Sequence, residues 1–278
     1  MKIIKTHLNP DLDAVASVWL LKRFLLGWEG AQVEYVMAKN TEEAKNIDGE
    51  ILYVDVGGGP LDHHDTGQYL SATSLTWEYV KQKRGIEDFK PIVLEALEKL
   101  VAVITEVDNA RDLNWPEIKQ TRHLFYLHSI VGALRGLAET DEQVTEFGMR
   151  ALEAVLLSLK SEIKAVEELK LGKEFVTFWG KAIALETGNE MVLWTGEILG
   201  YLIVAKKDPV DGAVRIYARA DSKVDLTKAY EEVKRQDPDS DWFLHASKKL
   251  LLNKTAVNPG FRPTRLSLEQ IIKILQGE

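Results

Sequence analysis

The sequence predicts an α/β protein: an N-terminal parallel-sheet domain, a helical connector and a smaller C-terminal α+β domain. Short apolar runs alternate with amphipathic stretches through the first 110 residues, the pattern of βαβ units. Residues 153–171 mix Leu, Glu and Lys without Gly or Pro, which suits one unbroken helix. Beyond Gly172 short strand-like runs return, separated by turn residues. A chain of 278 residues fits two domains. The pattern divides it into 1–150, a connector at 151–172, and 173–278.

Each element has its own signal. Residues 2–6 are an apolar run ending in polar residues, a buried strand. Residues 14–26 carry Val15, Val18, Trp19, Leu21, Leu25 and Leu26 at near-helical spacing. Residues 32–37 read as a second strand and 41–46 as a short helix. Residues 50–56 (EILYVDV) are the clearest strand, stopped by Gly57-Gly58-Gly59-Pro60. Ser71 is placed to cap a helix running to Lys83. A helix over 91–107 carries Ile92, Leu94, Leu97, Leu100, Val101 and Ile104. Residues 116–170 read as helical almost throughout. In the second domain 175–185, 191–194, 200–205 and 214–218 read as strands, 208–212 as a turn, and 225–235 as a helix capped by Asp225.

Composition narrows the function classes. Lys and Arg number 35 against 43 Asp and Glu, a net charge of −8. That balance argues against a protein that coats long nucleic acid, but not against a small anion held through metal ions. With no cysteine, disulfides, zinc–thiolate sites and cysteine nucleophiles are excluded. The N-terminus is too short and polar for a signal peptide, and no apolar run reaches the ~18 residues of a membrane span. The expectation is a soluble cytoplasmic protein.

The chemistry-bearing residues gather at predicted strand ends. His7-Leu8-Asn9-Pro10-Asp11-Leu12-Asp13 follows the first strand, Asp55 ends the strand over 50–56, Asp62-His63-His64-Asp65 follows the glycine turn, and Asp108 ends the helix over 91–107. Ligands of parallel sheets bind beyond the carboxyl ends of the strands, where His7, Asp11, Asp13 and Asp55 fall. Clustered carboxylates repel one another unless protonated or neutralised by cations. Oxygen-rich sets with imidazoles suit Mg²⁺ or Mn²⁺, the imidazoles favouring Mn²⁺. Two such ions about 3.5–4 Å apart clamp a phosphoryl group and acidify water, with no protein nucleophile required. Taken singly, Asp11 and Asp13 also suit a turn and an N-cap, Asp55 a loop, and Asp62 a turn cap. The conjunction of HxxxDxD with a later Asp and DHH favours the metal reading.

This set resembles the DHH phosphoesterase superfamily, which includes RecJ-like exonucleases, oligoribonuclease-type nanoRNases, cyclic-dinucleotide phosphodiesterases and family II inorganic pyrophosphatases. The matching residues are His7 to Ser17, Val54-Asp55, Asp62-His63-His64 and Asp108, in the family's order. The resemblance implies two Mn²⁺ ions per chain, with Mg²⁺ as an alternative. His7, Asp11 and Asp55 resemble the ligands of one ion, and Asp13, Asp55, His63 and Asp108 those of the other, with Asp55 bridging. His64 resembles a residue that contacts substrate phosphate and serves as an acid, and Asp62 a carboxylate that orients a histidine. Val54 to Gly58, Leu61 to His64 and Val107-Asp108-Asn109 are also locally similar to the exonuclease subgroup that includes the melanocyte-proliferating-gene proteins.

The C-terminal domain resembles the family's associated domain, with Arg219 on a strand near substrate. The family's glycine-rich loop is replaced by Trp242-Phe243-Leu244-His245-Ala246-Ser247, which retains only the His. Arg219 and His245 are therefore the expected substrate-binding side chains, and the bulk of Trp242 and Phe243 is expected to narrow the site. The implied activity is hydrolysis of a nucleotide-derived phosphodiester, such as a short single-stranded oligonucleotide, between the two domains. Pyrophosphate hydrolysis, cyclic-dinucleotide hydrolysis and a non-catalytic binding module are the alternatives. A homodimer is left open. His123 and His128, five residues apart, read as a structural pair.

Overall fold

The computed structural model describes residues 1–253 and 260–277. They form two compact units, Met1–Lys160 and a second beginning at Ser161.

The N-terminal unit is built on three parallel strands, β1 (Ile3–His7), β2 (Gln32–Val36) and β3 (Ile51–Tyr53), in the order β2-β1-β3. β1 is central, with Ile4 fully buried, as is Leu52 beside it. α1 (Leu12–Phe24) connects β1 to β2 as the crossover that a parallel pair requires. Leu12 to Leu21 are all buried. α1 touches β1 and also α2 (Ala72–Arg84), α3 (Pro91–Asp108) and α4 (Leu127–Leu134). Gly148, on α5 (Asp141–Lys170), is what lets that helix approach: a Cβ there would lie 2.6 Å from Val15.

Residues 116–140 depart from the expected continuous helix. They form single 3₁₀ turns at Pro116–Lys119, Thr121–Phe125 and Arg135–Leu137 around α4. Most of these side chains are exposed or half-buried, Val131 being fully buried. No apolar stripe binds them into one helix, because helices in proteins owe most of their stability to a packed face.

The second unit is a six-stranded mixed sheet: β4 (Lys173–Thr177), β5 (Gly180–Glu186), β6 (Ile203–Lys207), β7 (Val214–Ala218), β8 (Phe243–Leu244) and β9 (Leu250–Leu252), ordered β4-β5-β6-β7-β9-β8. The strand expected over 175–185 is a hairpin, β4 and β5 turning at Phe178-Trp179. Residues 191–194 open a helix, α6 (Met191–Ile198), rather than a strand. β5 and β6 are parallel, so a crossover must join them, and a four-residue apolar run does not by itself distinguish strand from helix. α7 (Thr227–Gln236) begins with Leu226 at its N-cap, and Asp225 Oδ1 accepts the Thr227 N–H at 2.9 Å. α8 (Leu268–Gln276) and α7 cover one sheet face through Ile271, Ile272 and Val233 against Ile203, Ile216 and Leu251. Leu193, Ala165 and Leu169 cover the other through Ile183 and Val204. Trp242 belongs to the first of these cores, so its bulk fills the unit's interior and not a substrate channel. No helix among the described residues is long and apolar enough to cross a membrane.

Candidate metal centre

The site assembles at the carboxyl edge of the β2-β1-β3 sheet. His7 is the last residue of β1. The chain then turns at Asn9, whose φ of 55° lies in the left-handed region, one that Asn tolerates better than most residues. Asn9 is clamped: its N–H donates to both oxygens of Asp141 at 3.2 Å, and its carbonyl accepts from Arg135. Asp11 then caps α1, its Oδ1 accepting the N–H groups of Asp13 and Ala14.

The other half comes from β3. Val54 still pairs with β1, donating to the Lys5 carbonyl, but Asp55 leaves the strand at φ 56° and donates its N–H to the Leu61 carbonyl. The glycines that follow are a steric necessity at one point: a Cβ on Gly59 would lie 2.2 Å from the Ala44 carbonyl oxygen. Asp62 closes the loop. Its Oδ2 accepts the Gly58 N–H, and its Oδ1 accepts the His64 Nδ1–H at 2.7 Å.

These loops bring six candidate ligands together. His63 Nε2 lies 3.4 Å from Asp108 Oδ2, 3.5 Å from Asp55 Oδ1 and 3.6 Å from Asp13 Oδ2. His7 Nε2 lies 3.3 Å from Asp55 Oδ2 and 4.0 Å from Asp11 Oδ1. Ligand atoms of His7, Asp11 and Asp55, and likewise those of Asp13, His63 and Asp108, lie within 4.8 Å of one another. Asp55 serves both clusters, one oxygen facing each.

The atoms have the unmet bonding of a cation site. Asp55 Oδ1, His63 Nε2 and Asp108 Oδ2 are buried and make no hydrogen bond, although buried polar atoms are almost always partnered. The imidazole of His7 is also set for ligation. Its Nδ1 lies 2.9 Å from the Leu8 carbonyl, which can only accept. That fixes one proton on Nδ1, so Nε2, which faces Asp55, is the nitrogen that ligates once its own proton is displaced. A divalent ion fits this donor set of carboxylates and imidazoles.

Asp13 shows how the fold supports the cluster. Its side chain is 2% exposed, and its oxygens accept the Ala72 and Thr73 N–H groups at 2.7 and 2.8 Å. The anion at the N-terminus of α2 is thus a side chain of the protein itself, helped by the helix dipole. The Ser71 capping box aims those amides.

Electrostatics follows from burial and crowding. Burial, then the charges of Asp55 and Asp108, push the Asp13 carboxyl up to about 7. Burial also lifts Asp108, to about 6, with His63 opposing and Asp55 adding repulsion. Burial disfavours the His7 imidazolium, but contact with Asp55 and the Leu8 carbonyl outweighs it and carries the pKa up to about 9. His63 reaches about 9 chiefly through Asp55. Burial opposes ionisation of Asp55, yet its contacts with His63 and His7 hold it below the usual carboxylate range.

The remaining candidates, Arg219 and His245, belong to the second unit. Arg219 directly follows β7 and His245 follows β8, which the sheet register places at one end of the second unit's sheet, separated by β9. Arg219 Nε donates to Asp221 at 2.7 Å, and His245 Nδ1 lies 2.9 Å from Ser247 Oγ. His128 Nε2 faces Asp112 Oδ2 at 3.5 Å. Asn9, Arg135, Asp141, Ala72 and Thr73 also build the site: Asn9 lies inside the first motif, the N–H groups of the helix that Ser71 opens are the kind that hold an anion, and Arg135 and Asp141 fall outside every motif. Three of them, Asn9, Ala72 and Thr73, act through backbone groups, which leave no residue signature, and Asp141 lies 132 positions from Asn9.

No family model and no curated protein matches this chain. Among solved structures, RecJ from Thermus thermophilus in complex with Mg²⁺ aligns over 99% of this chain and 49% of its own, at 13% identity and a TM-score of 0.32. The same protein with Mn²⁺ aligns over 99% and 52%, at 11% identity and a TM-score of 0.34. An uncharacterized protein from Helicobacter pylori aligns over 100% and 98%, at 13% identity and a TM-score of 0.26. The chain spans about half the length of the Thermus RecJ.

Proposed function

We propose that the N-terminal unit is the catalytic part of a divalent-metal-dependent phosphoesterase of the DHH superfamily, hydrolysing a nucleotide-derived phosphodiester such as a short oligonucleotide. The observation that carries this reading is the convergence of Asp13, Asp55 and Asp108, from three separate segments, on His63 Nε2 at 3.4–3.6 Å with unpartnered atoms at the centre. A purely structural set of ion pairs would close to hydrogen-bonding distance.

In this reading His7, Asp11 and Asp55 hold one ion, and Asp13, Asp55, His63 and Asp108 the other. Bound there, a pair of divalent ions, Mn²⁺ by preference, supplies Lewis acidity that offsets phosphoryl charge and lowers the pKa of water. Asp62 holds the Nδ1 proton of His64. As the imidazolium, with a second proton on Nε2, this exposed ring contacts a substrate oxygen and delivers the Nε2 proton to the leaving group, returning to the Nδ1–H tautomer held by Asp62. Arg219 and His245 bind the remainder of the substrate as side-chain donors in place of a glycine loop.

The test is hydrolysis of bis-p-nitrophenyl phosphate, short RNA, cyclic dinucleotides and pyrophosphate with Mn²⁺ or Mg²⁺. Turnover of short RNA and the aryl diester is expected. Turnover of pyrophosphate alone would replace the phosphodiester reading, and metal binding without any turnover would leave a binding module.

A further inference from the structure

We infer that a cavity at the amino edge of the N-terminal sheet binds a small organic phosphate, with Lys2, Lys83 and Arg84 meeting its anionic end. The cavity encloses about 270 Å³, just under the ~300 Å³ at which small-molecule sites begin. Its walls come from the segments that enter each strand: Lys2 precedes β1, Trp28 precedes β2, and Ile47 to Gly49 precede β3. The last turn of α2 closes it with Lys83 and Arg84. That helix has 13 residues and is about 20 Å long, and its other end holds Asp13. The cavity therefore lies about a helix length from the metal centre.

Two positive charges in its lining are unmatched. Asp48 pairs with Lys83 at 2.6 Å. Lys2 has no carboxylate partner among the described residues, and its ammonium lies 4.6 Å from the centre of the Trp28 ring. Arg84 has no carboxylate partner among them either. It lies over the Phe89 ring, donates from Nη1 to the Phe24 carbonyl at 3.3 Å, and keeps a buried Nε without a partner. A half-buried guanidinium in this state gains from an anion at its open edge. In a chain of net charge −8, three cations against one acid is a local excess that a phosphate dianion matches. The dipole of α2 accounts for Lys83 and Arg84 at its C-terminus, but Lys2 is not on that helix. Leu25, Ile47 and Tyr79 give the same cavity an apolar wall, so the phosphate it suits carries an apolar, ring-sized body.

The probes are adenosine 5′-monophosphate, ribose 5-phosphate and adenosine, titrated calorimetrically into the full chain with Mn²⁺ and again with EDTA. The monophosphate should bind about 10- to 100-fold more tightly than adenosine, the range of a charged hydrogen-bonded contact, and more tightly than ribose 5-phosphate. Its binding should persist in EDTA, which removes any contribution from the metal centre. Lys2→Gln and Arg84→Gln should each weaken it by roughly tenfold, leaving Mn²⁺ affinity within about twofold. Asp48→Asn should tighten it severalfold, because the one acid in the lining competes with the phosphate for Lys83. Lys2 and Asp48 lie outside every helix and strand, so their variants decide the matter where Arg84→Gln does not fold. Failure of the wild type to bind the monophosphate, binding lost in EDTA, or affinity unchanged in both Lys2→Gln and Asp48→Asn overturns the site and spares the phosphoesterase reading. Equal affinity for ribose 5-phosphate overturns the apolar body.

Discussion

Asp55 carries more of the site than any other residue. It is 3% exposed, sits at a positive φ and presents one oxygen to each half of the cluster. Asp55→Ala should therefore abolish turnover and weaken Mn²⁺ binding ~100-fold or more, beyond the 10–100-fold typical of losing an outer-shell partner; calorimetry with Mn²⁺ reads this directly. The Asn9 clamp predicts a smaller effect. Asp141→Ala removes the acceptor of the Asn9 N–H and should lower Mn²⁺ affinity roughly tenfold without touching a ligand. His64→Ala should lower kcat with metal content largely intact, because Nδ1 of this exposed ring is bonded to Asp62 at 2.7 Å and lies farther, 3.7 Å, from Asp55 Oδ1. Metal loss in that variant would place His64 among the ligands.

At the level of elements, the N-terminus of α2 is where stability and chemistry meet. Ser71 caps it, and its first amides hold Asp13. Ser71→Ala should cost about 1 kcal/mol, seen as a fall in Tm of roughly 2–4 °C, and should also weaken Mn²⁺ binding. A cap with no link to the site would affect Tm alone. The elements that position the site are largely legible in the sequence. β1, α1, β3, α2 and α3 each announce themselves by apolar period, glycine stop or cap, and the acids at their ends follow from chain order. Asp55 shows the limit: the apolar run predicts a strand to Val56, but β3 ends at Tyr53, because the turn needs Asp55 at positive φ. Residues 116–140 and 191–194 depart from their local pattern for a related reason. Their conformation is set by packing and connectivity, which neighbouring residues in the chain do not encode.

For the whole molecule the charges dictate a pH dependence. Asp13 and Asp108, raised to about 7 and 6, bind protons in the fold that the unfolded chain releases near pH 4. His7 and His63, raised to about 9, hold protons that the unfolded chain releases near 6.5. In each case the folded state binds more protons, so stability falls as pH rises. The metal-free protein should lose Tm as pH rises from about 4 to 9, through the two carboxyls in the lower part of that window and the two imidazoles in the upper part. Because ligation displaces these protons, the Tm gain from added Mn²⁺ should be larger at the alkaline end of that window than at the acid end. A thermal-shift series across the range, with and without Mn²⁺, reads both slopes. The fold also grades the two halves of the cluster by access: Asp13 is almost wholly covered, while Asp11 is 52% exposed. Cations held on the two sides should therefore exchange at different speeds. If each side holds an ion as proposed, a chelator pulse should strip the His7–Asp11 side quickly and the Asp13–Asp108 side slowly, so that brief dialysis of the Mn²⁺-loaded protein leaves it half-loaded.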